Sequence, residues 1–161
     1  MKLLFISLAI LYAFLASSFI HYFNVINPTG TYVLKGKLEK NIIKSHSGEI
    51  RAKLLSENKL ALSFYLDKGS PNFESASFKD TFYYFDNRIS YHSPTDTDCI
   101  ITFIFNEASV ETFFVHSNPQ CTCGFEIGVI IPATFEKSSN DIPVMKDFSL
   151  YKKPIQENNP Q

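Results

Sequence analysis

Tryptophan is absent from this chain of 161 residues, cysteine occurs three times, and only two of the fifteen basic residues are arginine (Arg51 and Arg88). The formal net charge is −1. Neutrality with so little arginine gives no grip on phosphates, so no nucleic-acid partner is expected. Three cysteines are too few to build a disulfide-based miniprotein. None lies near the N-terminus, which rules out a lipidated start. The sequence has no internal repeat and no glycine-rich phosphate loop, nor a strand–turn–helix nucleophile elbow. No pair of carboxylates has a spatial argument behind it. The expectation is therefore no enzyme, with catalytic residues, metal ligands and cofactors all read as none.

Present instead is one long apolar run. Met1-Lys2 precedes LLFISLAILYAFLASSFI, a short basic start and hydrophobic region that reads as an export signal. Ala16-Ser17-Ser18 would allow cleavage before Phe19. Apolar character continues through Phe23, long enough for an uncleaved anchor over residues 3–23. A buried core helix fits less well, because no polar face interrupts the run. Residues 1–23 are thus read as a leader helix, either signal peptide or membrane anchor. Residues 24–29 read as a connector, 30–137 as one β-domain, and 138–161 as a polar, largely disordered tail. The expected location is periplasm, cell envelope or secreted, touching membrane only through the N-terminal segment.

The domain is organised around residues 99–128. Residues 99–105 and 110–116 are β-branched and aromatic, with a turn at Asn106-Glu107-Ala108-Ser109. That loop sets Phe105 opposite Val110, Phe103 opposite Thr112, Ile101 opposite Phe114 and Cys99 opposite His116. Cys99, Ile101, Phe103, Phe105, Val110 and Phe114 should then face the core. Ile100, Ile104, Phe113 and Val115 on the other face are apolar enough to expect a cover. The register brings either Cys121 or Cys123 within reach of Cys99. A Cys121–Cys123 bond would close a small strained ring. Cys123 is preferred because it begins a CGF turn in which Gly124 can take φ > 0.

Thr31 to Leu34 reads as a first strand and Lys35 to Ser47 as loop or edge. Residues 49–56 and 60–66 form a second hairpin. A three-residue turn, Glu57-Asn58-Lys59, keeps Ile50, Ala52 and Leu54 on the face of Leu62, Phe64 and Leu66. Asp67 to Asp80 is expected to be a long irregular loop, a candidate binding loop or flap. A third hairpin turns at Asp86-Asn87, with Phe82 and Tyr84 aligned with Tyr91 and Ile89. Phe125 to Phe135 supplies a last strand. The fold class is all-β, about eight antiparallel strands in a meander barrel or a two-sheet sandwich.

Three polar clusters stand out, and each has a plainer reading. His92, Asp96 and Asp98 lack the calcium-loop spacing and read as a solvated turn. Cys121-Thr122-Cys123 has one residue where the redox motif has two, so a bridge and a spare thiol are expected. His46, Ser47 and Glu49 are adjacent in sequence, whereas a triad converges from separate segments. Tyr83, Phe85, Phe113 and Phe73 form an aromatic set expected at the surface, and Phe73, Ser77 and Phe78 of the 67–80 loop, with Tyr83 and Phe113 of that set, are the candidate binding residues.

The segments Ser47-Gly48-Glu49-Ile50, Ser77-Phe78-Lys79-Asp80-Thr81, Cys99-Ile100-Ile101-Thr102-Phe103 and Cys123-Gly124-Phe125-Glu126-Ile127-Gly128-Val129 together resemble small exported bacterial β-domains. Those domains pair a C-x-x-x-F strand with a C-G-F-G-x-x-V turn. The pattern is also similar, more distantly, to periplasmic lysozyme inhibitors. The resemblance implies an all-β exported domain and supports a Cys99–Cys123 bond. Glu126 stands where the turn commonly has a second glycine. Glu49-Ile50 follows Ser47-Gly48 where the inhibitors carry a tyrosine-ended loop. The expected function is a non-enzymatic binding domain for a protein or envelope component, lysozyme being one specific version. The alternative is a small-ligand carrier or an enzyme with its site in the barrel mouth.

Overall fold

The computed structural model describes residues 25–116 and 121–148. The expectations for the leader, for the loop 117–120 and for the tail beyond 148 lie outside the described residues. The described residues form ten strands: β1 (Gly30–Leu34), β2 (Leu38–Glu39), β3 (Ile42–Ile43), β4 (Ser47–Ser56), β5 (Lys59–Asp67), β6 (Ser75–Tyr83), β7 (Arg88–His92), β8 (Cys99–Phe105), β9 (Ser109–His116) and β10 (Ala133–Ser139). Eight of them form one sheet in the order β6-β5-β4-β1-β10-β9-β8-β7, and β2 and β3 form a small separate hairpin. Every pairing is antiparallel. Apart from the inserted β2–β3 hairpin, the strands follow chain order around the sheet, with β10 beside β1. The result is a nearly closed meander barrel, not a sandwich. Among the described residues no helix is long and apolar enough to cross a membrane.

Side chains of alternating strand positions fill the interior, as a small barrel requires. In β8, Cys99, Ile101, Phe103 and Phe105 are buried while the residues between them are half-exposed. Phe64 meets Phe103 edge-on at 5.5 Å and Phe135 at 6.2 Å, and Tyr32 meets Phe105 at 6.1 Å. Thr112 is a buried hydroxyl; it accepts from the Ala133 amide at 3.1 Å and so carries no unmet polar cost.

The β8–β9 register is the one expected, from Phe105↔Val110 to Cys99↔His116. Cover for its outer face is not found among the described residues, where Phe113 is 43% and Val115 62% exposed.

The β4–β5 hairpin keeps the expected faces but reaches them differently. Its turn is two residues, Glu57-Asn58, closing on Ser56↔Lys59, and a bulge at Leu55 restores Leu54↔Leu60, Ala52↔Leu62 and Ile50↔Phe64. The extra residue sits in the strand, not in the turn.

Three boundaries are corrected. Residues 75–80 are strand, because β6 pairs with β5 from Asp67↔Ser75 to Lys59↔Tyr83, leaving only 68–74 as loop. The last strand is β10, pairing with β9 and β1, while 121–132 is irregular. The third hairpin forms its turn, with positive φ at Asp86 and Asn87, but pairs only at Phe85↔Arg88. Its arms then part, since the Tyr84 amide donates to the Asn58 carbonyl at 2.9 Å. Between β6 and β7 the barrel is closed by rings, with Phe78 stacked on Tyr91 at 4.1 Å.

Residues 140–148, read as part of a disordered tail, lie along the outer face of β4 and β5. Ser63 is fully buried there and donates to the Lys146 carbonyl. Arg51 donates to the Val144 carbonyl at 2.7 Å, and Phe148 packs on Tyr65 at 5.3 Å.

Candidate functional site

The sequence candidates separate once placed. Phe78 belongs to the barrel wall, with rings of Phe64 (5.1 Å), Tyr91 (4.1 Å), Phe82 and Phe103 (both 6.0 Å) around it. Ser77 is half-buried in β6 opposite Tyr65. Phe73 is half-buried at the end of a loop that is tied down on several sides. Ser70 donates its amide to the Ile43 carbonyl at 2.8 Å, and Lys68 reaches Glu74 at 3.2 Å and the Ile127 carbonyl at 3.0 Å. That loop is docked on the β3 strand and the 121–132 segment. Phe113 is exposed on β9, separated from Tyr83 by β7 and β8 along the wall.

Tyr83 stands apart from these. It ends β6 at 66% exposure, and Phe85 beyond it is 67% exposed. The two rings stack nearly parallel, 17° between planes and 6.3 Å between centroids. A period-two strand puts residues two apart on the same face, which is why 83 and 85 point out together while Tyr84 points in.

A cleft of about 580 Å³ opens beside this pair at one barrel end, lined chiefly by Val25, Leu54, Tyr84 and Phe85, with Glu57 and Asp86 at its polar edge. One hydrogen-bond group builds its wall. Tyr84 donates to the Ile26 carbonyl at 2.8 Å and to Asn87 Oδ1 at 3.1 Å, and Ile26 donates its amide to the same Oδ1 at 2.8 Å. Burial pushes the Tyr84 hydroxyl up to about 12, so it is neutral and donating at any physiological pH. Val25, 63% exposed, carries the apolar surface out around the opening.

Sequence reading passed over this cleft, because Val25 and Ile26 were assigned to a connector. The legible signal was Leu54-Leu55, since two adjacent apolar residues in a strand cannot both face inward. A second cleft of about 610 Å³ lies under the β2–β3 hairpin, bounded by Leu38, Ile43, Tyr65 and Phe148.

His46 donates to the Gly128 carbonyl at 2.9 Å, and Glu49 is engaged by Arg51 and by Lys146 at 3.7 Å. Ser47 and Gly48 lie within β4, where a Cβ on Gly48 would come 2.4 Å from the Tyr65 carbonyl oxygen. His92 is exposed at the end of β7, and Asp96 faces Cys121. The sulfurs of Cys99, Cys121 and Cys123 lie within 4.8 Å of one another, a set that could hold a soft cation only with the cysteines reduced. Cys99 and Cys123 are joined as a disulfide, their Cα atoms 5.1 Å apart, and Cys121 is free. No family model, curated protein or solved structure matches this chain.

Proposed function

We propose that this chain is a non-enzymatic exported binding domain, which takes a protein or cell-envelope partner on the Tyr83–Phe85 pair and the cleft beside it. The observation that carries the reading is the exposed stack itself, two rings held outward on a rigid strand end next to an apolar opening. Aromatic side chains bring large contact area for few frozen torsions, and they dominate binding energy where they seat in a partner's pocket. Lysozyme is one partner to be tested directly. The volume and apolar lining of the cleft also favour a second reading, a small apolar ligand seated between Leu54 and Tyr84.

The test is capture from envelope extract on the immobilised full chain, beside a Tyr83→Ser/Phe85→Ser double variant with the same melting temperature. A component retained by the parent and lost by the variant is expected. Equal retention by both would move the contact elsewhere. No retention at all, with lysozyme activity unaffected, would overturn the reading. A small-ligand role would instead show as a stoichiometric compound in organic extracts of the purified protein.

A further inference from the structure

The three cysteines meet where β8 begins. Cys99 and Cys123 are buried, Cys121 is half-buried, and the free thiol of Cys121 lies within 4.8 Å of both sulfurs of the Cys99–Cys123 disulfide. We propose that this cluster is a thiol–disulfide exchange site, in which the bond passes from Cys99–Cys123 to Cys99–Cys121 and frees Cys123. The Cys121 thiolate attacks Cys99 Sγ, the new sulfur–sulfur bond forms as the Cys99–Cys123 bond breaks, and Cys123 leaves as a thiolate. Cys123 then takes up a proton equivalent to the one Cys121 gave to solvent. One disulfide and one thiol stand on each side, so no oxidant or reductant is consumed. Attack on Cys123 is the poorer route, because it would close the small ring of Cys121-Thr122-Cys123.

The step reaches further than the sulfurs. Cys123 and Gly124 both hold positive φ (57° and 80°), and a Cβ on Gly124 would sit 2.1 Å from Thr95 Oγ1. The turn is thus pressed against the loop before β8, with the disulfide as its tie. Just beyond it, the Phe125 ring lies 6.3 Å from Tyr91, whose ring stacks on Phe78 across the gap between β6 and β7. Moving the tie back two residues frees the turn that carries Phe125. The position of the disulfide is therefore coupled to the seam of the barrel.

Burial first, then a hydrogen bond to Asp96 and the charges of Asp96 and Asp98, hold the Cys121 thiol above its ordinary value, opposed by a hydrogen bond to the Cys123 backbone. From β9, His116 is the residue paired with Cys99. Little thiolate exists at neutral pH, which keeps the exchange slow until the pH rises.

The full chain, held native and dilute at pH 7 to 10, is quenched with acid, labelled with a maleimide and mapped as non-reduced peptides. At pH 7 the label should fall on Cys121. As the pH rises, label on Cys123 and a Cys99–Cys121 peptide should appear at a rate that grows at least tenfold and does not depend on protein concentration. Cys121→Ser should keep the Cys99–Cys123 link and take no label, and Asp96→Asn should bring the onset to lower pH. Label confined to Cys121 at every pH at which the fold survives would overturn the proposal, as would exchange that scales with protein concentration.

Discussion

At the scale of single residues, two tyrosines tie polar chemistry into an aromatic core. Tyr32 is fully buried and donates to the Pro28 carbonyl at 2.9 Å, and Tyr84 meets Phe105 edge-on at 5.7 Å while holding Ile26 and Asn87. Tyr84→Phe keeps the ring and orphans the Ile26 carbonyl. It should cost about 1–2 kcal/mol and raise the protease sensitivity of residues 25–29, read by urea denaturation and limited proteolysis. Burial pushes Tyr84 up to about 12, burial and Asp67 push Tyr65 up to about 12, and Tyr32 is raised further. A group whose pKa is raised in the folded state keeps its proton while the unfolded chain gives it up. Its stabilisation is whole below pH 10 and is lost as pH climbs through the folded values. The urea midpoint should hold to about pH 9 and fall between about 10 and 12. Phe103, fully buried against Phe64 and Phe78, carries the packing counterpart: Phe103→Ala should cost about 3–5 kcal/mol in the same assay.

At the scale of elements, legibility followed the strength of alternation. The β8–β9 hairpin was readable to the residue because both strands are β-branched and aromatic and their loop admits one register. In β4–β5 the faces were readable and the turn was not, since a bulge in the strand and an extra turn residue restore the same parity. Deleting Leu55 distinguishes them. With the two-residue turn kept, the deletion removes the bulge and leaves Leu54↔Leu60, Ala52↔Leu62 and Ile50↔Phe64 paired, so the fold should survive by circular dichroism. With a bulge-free three-residue turn, the same deletion would bring Arg51 and Lys53 inward and abolish it. Leu55→Ser, at a half-exposed position, should leave the fold intact. The first six residues of β6 were missed because SASFKD is polar and carries few β-formers, their order coming from nine paired positions of β6 along β5.

At the scale of the whole molecule, closure is what no local pattern encodes. β6 and β7 are joined by a tight turn and still do not form a ladder, and the ring pair Phe78–Tyr91 stands in for the missing hydrogen bonds. Phe78→Ala should open this seam, costing about 3 kcal/mol and raising amide exchange selectively in β6 and β7. A uniform rise over all strands would assign the ring to general packing. The 140–148 segment covers Ser63 on the outer face of β5, a placement invisible in a stretch that reads as polar linker.

By itself the sequence determined the all-β class, the inward face of each main hairpin and the β8–β9 register, and it gave a preference for Cys123 over Cys121 as the partner of Cys99. These follow from side-chain period and turn chemistry, which act over a few residues. The tertiary structure decided the barrel over the sandwich, the bulge at Leu55 and the seam between β6 and β7. It also brought Val25, Leu54 and Tyr84 together beside the exposed Tyr83–Phe85 pair, and Cys121 beside the disulfide. Each of those depends on contacts between segments far apart in the chain, where packing and closure choose among local patterns that are equally satisfied.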